Sequence, residues 1–248
     1  MTDFLAAVNA RLRWSEKQAA LLDRHAAQFL ARPYTIVMTL ESDNREHVYR
    51  AYDLETIPPD WSFRFGTILH HLRATLDNLA YQFALRVQDP LPDKIERGIM
   101  FPIQTTEAGF ENVRWRLNGV ESDVFDFMRD EQPFRKVPAS PGSDPLTWLE
   151  TLNNIDKHRR VHLFVRGVET QAVLIPAENL IKDSRPFVKL EEGTEFARLT
   201  FREPQLERYA DIRPGLAVGV EDGDRFLSEV LARVPARVRE VVEAAAAL

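Results

Sequence analysis

The chain has 248 residues, 44% of them hydrophobic and 28% charged, with a formal net charge of -6 and no Cys. That length and balance belong to a folded chain with room for a sizeable core, and not to a disordered one. The missing Cys excludes a disulfide framework, a thiolate metal site and a cysteine nucleophile, and the negative charge disfavours unspecific binding to nucleic acid.

Leu5, Val8, Leu12, Ala19, Leu22, Ala26 and Phe29 recur at helical spacing, interrupted by Ser15, and predict one long amphipathic helix that ends at Pro33. Residues 34–40 and 47–54 are rich in β-branched and aromatic side chains around a polar turn at 41–46, the pattern of a β-hairpin. Pro58-Pro59-Asp60 closes that segment. Asp60 or Ser62 then caps a helix running to about Val87, with Leu69, Leu72, Leu76, Leu79 and Phe83 as its apolar seam.

Pro90 and Pro92 stop this helix, and Phe101-Pro102-Ile103 leads into two shorter helical stretches at 107–117 and 122–129. Residues 132–145 read as a loop. Leu146, Trp148, Leu149, Leu152 and Ile155 build the next helix, after which about five short strands are expected between Val161 and Val220, among them 171–175, 187–190 and 196–201. A last helix over 224–248 carries Leu227, Val230, Leu231, Val234, Val238 and Val241 on one side, with Pro235 bending it. The fold class is α+β, a helical bundle packed with a small, mostly antiparallel sheet. It is read as a single domain, 1–248, with a helical part (1–33, 60–160, 222–248) and a β part (34–57, 161–221).

Chemistry concentrates in two polar clusters set in apolar helices: His70, His71, Arg73, Asp77 and Asn78 in the first, and residues 153–160 in the second. At about 100° per residue, His70, Arg73, Asp77 and Tyr81 flank the Leu seam, and Asp156 and Arg159 fall within the apolar arc of their own helix. Charges carried toward an apolar side need partners, so the clusters are expected to meet, with Arg73 pairing Asp77 in its own helix, and Arg73–Asp156 and Asp77–Arg159 pairing across. Structural ion pairs between two helices account for this arrangement. So does a functional site, because His70 and His158 add groups that titrate near neutral pH. A metal set of His70, Asp77, Asp156 and His158 has suitable residue types but no recognised compact spacing, and Arg73 and Arg159 would repel a cation, so no metal or other cofactor is assigned.

Arg64 followed by His70 and His71 is similar to the Arg-x(4 to 6)-His motif of the HEPN superfamily, helical-bundle proteins that are often RNases in toxin and phage-defence systems. The resemblance implies metal-independent RNA cleavage with Arg64, His70 and His71 as catalytic residues, although Phe65 stands where the family usually has a polar residue. The chain also resembles a set of uncharacterised bacterial and phage proteins over residues 60–165. Those proteins share His-x-Leu-Arg-x-x-Leu-Asp-x-Leu (here His70 to Leu79), then Phe-Pro-Ile (Phe101 to Ile103) and Asp-Lys-His-Arg (Asp156 to Arg159). This second resemblance implies that the two clusters belong together and supplies no mechanism.

No phosphate-binding Gly-rich loop, Gly-x-Gly-x-x-Gly, His-Glu-x-x-His or Gly-x-Ser-x-Gly motif occurs. Trp61, Trp115 and Trp148 read as core or surface anchors, and Glu191-Glu192 and the acids at 222–224 as solvated turns. The C-terminal apolar seam serves either folding or self-association, so a homo-oligomer is one expectation. The N-terminal residues lack the pattern of a secretion signal and no run approaches a membrane span, which predicts a soluble, cytoplasmic protein. Two functions stand open. One is a binding or interaction role for the polar cluster His70, Arg73, Asp77, Asp156, His158 and Arg159, with a small anionic ligand taken on Arg73 and Arg159; the other is a HEPN-like RNase acting on RNA in defence or stress.

Overall fold

The computed structural model describes residues 5–172, 179–184, 189–206, 212–221 and 225–248. The described residues form α1 (Ala6–Leu30), β1 (Thr35–Glu41), β2 (Glu46–Tyr52), α2 (Asp60–Val87), α3 (Asp93–Glu96), α4 (Glu107–Val113), α5 (Ser122–Asp130), α6 (Pro133–Lys136), α7 (Pro145–His158), β3 (Leu163–Ala172), β4 (Leu180–Ser184), β5 (Thr194–Phe201), β6 (Ile212–Val220) and α8 (Leu227–Ala245). The fold is α+β. No helix among them is long and apolar enough to cross a membrane.

The chain divides into two compact units, Met1–Asp23, Ser62–Val161 and Ser228–Leu248 in one and Arg24–Trp61 and His162–Leu227 in the other. In the helical unit the seam Leu69, Leu72, Leu76, Leu79 and Phe83 of α2 is buried, as are Leu146, Leu149 and Leu152 of α7 and Val230, Val234, Val238 and Val241 of α8. The C-terminal seam is therefore core. Ser15, the polar interruption in the α1 stripe, is also buried and donates to the Arg11 carbonyl at 3.0 Å, which satisfies its hydroxyl without leaving the helix.

α7 starts where Asp144 accepts the Leu146 N–H at 2.8 Å and Pro145 occupies the first turn, a start signal that the sequence carries in full. α8 runs through Pro235 as one helix. Sequence periodicity misses the short helices: α3 and α6 interrupt stretches read as connections, and residues 107–117 split into α4 and a 3-10 turn, Arg114–Leu117.

The second unit holds a four-stranded antiparallel sheet in the order β1-β2-β5-β4 and a two-stranded antiparallel pair, β3-β6. Among the described residues there are thus two sheets in place of the single small one expected. The hairpin β1-β2 turns through Ser42, Asp43 and Asn44, all at positive φ, where short polar side chains are tolerated best. Of the expected strands, 171–175 overlaps the end of β3 but its residues 173–175 lie outside the described residues. In 187–190, Lys189 bridges Arg166 and residues 187–188 lie outside them. The strand expected at 196–201 is the body of β5.

Candidate functional site

Gly66, His70, Arg73 and Asp77 follow one another along α2 at spacings of three and four, and Glu150, Asn153 and Asp156 do so along α7, so each set forms a stripe on its helix. The stripes meet antiparallel: Asp156 lies against Gly66, and Glu150 pairs with Arg73 at 3.1 Å. The two polar clusters do come together in the helical unit.

The inner end of this seam is closed. Arg73 is 6% exposed, and its guanidinium reaches Asp77 at 2.9 Å, Glu150 at 3.1 Å and the carbonyl of Phe101 at 2.7 Å. Asp77 in turn accepts the Phe101 N–H at 3.1 Å. The ion pair thus takes both backbone groups of one residue of the Phe-Pro-Ile segment, the N–H and the carbonyl of Phe101. Gln132, fully buried, continues the pattern by donating to the carbonyls of Pro102 and Met128, both at 2.8 Å, and accepting the Gln104 N–H at 2.9 Å. An extended segment buried among helices has no ladder to satisfy its backbone, and these side chains supply the missing partners. Burial pushes the Asp77 carboxyl up from the ordinary carboxylate range, against the pull of Arg73 and of the Phe101 N–H.

Two expected pairings are corrected. Arg73 takes Glu150 across the helices, not Asp156, and Asp77 takes the Phe101 amide, not Arg159. The reason is register: α7 places Glu150, two turns before Lys157, opposite Arg73 and carries Asp156 on to Gly66. Glu150 was legible as a charge between Leu149 and Leu152, three residues before Asn153. Asn153 itself is buried, with Nδ2 lacking a hydrogen-bond partner among the described residues.

The outer end of the seam is open. Asp156 is half-buried and accepts the Val161 N–H; burial raises its pKa, opposed by that hydrogen bond and by His70. His70, His158, Arg159 and Arg160 are exposed. Arg159 caps α7, its N–H on the Ile155 carbonyl at 2.8 Å, and cations at a helix C-terminus suit the helix dipole. The Arg160 guanidinium lies over the ring of Phe63, 4.1 Å from its centroid, and Phe63 is 59% exposed. This pair carries no helical-face signal, because Arg160 lies beyond the end of α7.

His71 points away from this seam, toward α1. Its ring meets Trp14 edge-on at 4.5 Å, and burial, followed by the Arg11 and His70 charges, lowers its pKa. Arg64, half-buried, stands seven residues before His71 and so shares its face of α2, whereas His70 lies roughly 120° away around the helix from Arg64. Among the described residues no group of three or more His, Asp or Glu is placed to hold a metal ion, so His70, Asp77, Asp156 and His158 do not converge.

A separate cleft of ≈ 530 Å³ in the same unit is lined by Arg237, Glu131, Asp144, Lys136, Arg233 and Glu240. Its buried charges answer one another: Arg237 bonds the Glu131 carboxylate and carbonyl, both at 2.9 Å, and reaches Asp144 at 3.6 Å. They tie α8 to the end of α5 and the start of α7. Compared with family models, with curated proteins and with solved structures, the chain matches none.

Proposed function

We propose that this protein is a cytoplasmic binding protein that takes an anionic ligand at the open end of the α2–α7 seam, with Arg159 and Arg160 supplying the positive charge and the exposed His70 and His158 as further hydrogen-bonding groups. Arg73 and Asp77 act behind that face by holding the Phe101 segment. The reading rests on Arg160 over the exposed Phe63 ring. A guanidinium held over an aromatic ring keeps N–H groups for a phosphate or carboxylate and loses little side-chain freedom on binding. Such a cationic end, in a chain of net charge -6, is a local feature.

The test is calorimetric titration of the full chain with inorganic phosphate and, separately, with a single-stranded oligoribonucleotide. Binding that weakens with salt and falls at least about tenfold in Arg160→Ala supports the reading. No binding by the unaltered protein, or equal binding by the variant, overturns it.

A second reading, a metal-independent RNase similar to the HEPN proteins, draws support from His71. A histidine whose pKa is lowered stays neutral at neutral pH and is able to accept a proton, and Arg64 shares its helix face. Incubation with total RNA in EDTA separates the two. Cleavage by the unaltered protein and not by a His70→Ala, His71→Ala double variant makes the RNase reading the leading one; intact RNA in both rejects it.

A further inference from the structure

The β1 edge of the four-stranded sheet is not paired by any strand among the described residues. β1 is an edge strand of seven residues, Thr-Ile-Val-Met-Thr-Leu-Glu, joined to β2 in unbroken register from Thr35↔Tyr52 to Glu41↔Glu46. None of the usual edge protections is present in it: no Pro, no bulge, no Lys, and no charge before its last residue. No residue of β1 is buried, and no strand pairs its outer side among the described residues.

Its two faces differ in kind. Ile36, Met38 and Leu40 stand opposite Ala51, Tyr49 and His47 of β2, all three fully buried, so they continue the core face of the sheet to its rim. There the cover runs out: Ile36 and Met38 are half-buried and Leu40 is 36% exposed. The other face belongs to Thr39 and Glu41, which receive the Arg50 guanidinium, each at 2.8 Å.

We infer that β1 pairs antiparallel with β1 of a second copy of this chain, about a two-fold axis at Met38. Side chains alternate faces along a strand, so this register sets Ile36 opposite the second copy's Leu40 and Met38 opposite its own counterpart, and the apolar stripe continues across the joint. On the other face Val37 meets Thr39 and Thr35 meets Glu41. No like charges stand opposite each other. The self-complementary pattern selects a second copy over an unrelated strand, and a two-fold contact closes on itself, so assembly stops at a dimer with a continuous eight-stranded sheet.

Sedimentation equilibrium of the full chain tests this together with Met38→Lys and Met38→Glu. The unaltered chain is expected to be a dimer. Each variant puts like charges face to face at the axis and raises the dissociation constant at least about tenfold, and an equimolar mixture of the two restores a mixed dimer by setting Lys opposite Glu. A chain that stays monomeric at the highest concentration reached overturns the inference, as does a dimer that both variants retain.

If circular dichroism shows either variant unfolded, Met38→Cys serves instead, since the chain has no Cys of its own. Mild oxidation then traps a covalent dimer through Met38→Cys but not through Thr35→Cys, whose counterpart lies about 20 Å away in this register. Failure of Met38→Cys to cross-link likewise overturns it.

Discussion

The carboxylate of Asp156 lies flat against the backbone of Gly66, so close that a Cβ on Gly66 would fall inside the van der Waals envelope of both carboxylate oxygens. A glycine in the interior of a long helix weakens it by about 1 kcal/mol relative to Ala, so its presence in α2 needs a reason, and this close approach is one. The contact sets the depth at which the end of α7 meets α2.

Gly66→Ala is therefore expected to lower stability, although it improves the helix in isolation. The new methyl group displaces the Asp156 carboxylate from the Val161 N–H, and the net loss expected is about 1–2 kcal/mol in urea denaturation. The companion Gly66→Ala, Asp156→Ala variant removes the clash and should be no less stable than Asp156→Ala alone. A single Gly66→Ala variant more stable than the unaltered chain shows that the close approach does not shape α2.

Asp156→Asn should behave differently from the loss of a buried ion pair. Asp156 has no ion-pair partner within 4.0 Å among the described residues, and burial raises its pKa. A carboxyl whose pKa is raised by folding is disfavoured when ionised, so it detracts from stability at neutral pH, and that cost disappears as pH falls below the ordinary carboxylate range. The Asn variant should match or slightly exceed the unaltered chain at pH 7, and the difference should shrink toward about pH 4. A loss of about 3–5 kcal/mol at pH 7 points instead to a buried pair.

Both helices of the seam, and the fact that their polar clusters meet, were legible in the sequence because apolar spacing fixes which faces are inward. The partners were not. Arg73 and Asp77 satisfy the carbonyl and the N–H of Phe101, 24 residues and more along the chain, and backbone partners leave no trace in side-chain pattern. Gly66 and Glu150 carried signals, a mid-helix glycine and a lone acid on an apolar arc, yet only register shows what each one touches. In the β unit, alternation located β1, β2 and β5, while strand order depends on contacts remote in sequence, and the described residues form two sheets rather than one.

The charged face of the larger sheet offers a titration test. Arg50 hydrogen-bonds Glu41 and lowers its pKa, with Arg198 adding to the effect, whereas the Glu46 pKa is lowered first by the Ser42 hydroxyl and then by Arg198. Depressed carboxylate pKa values mean stability that is present above the ordinary range and is lost as pH falls through the folded values. By carboxyl NMR, Arg198→Ala should raise both pKa values and Arg50→Ala that of Glu41 alone. Equal responses of Glu46 to the two variants are incompatible with the geometry, and high salt should shrink every shift.

Arg73→Ala separates a guanidinium that holds the fold from one held ready for a ligand. Its removal strands the Phe101 carbonyl, Glu150 and Asp77 at the buried end of the seam, and the expected cost is about 3–5 kcal/mol. Glu150→Gln, at a side chain 35% exposed, should cost less than about 1 kcal/mol, because an ion pair with one partly exposed partner is weakened by solvent screening. The Phe101 amide reports the difference directly: its hydrogen exchange should accelerate in Arg73→Ala, where Asp77 loses its counter-charge, and stay slow in Glu150→Gln. An Arg73→Ala chain that denatures within about 1 kcal/mol of the unaltered one means that the Phe101 segment is held by its apolar contacts alone.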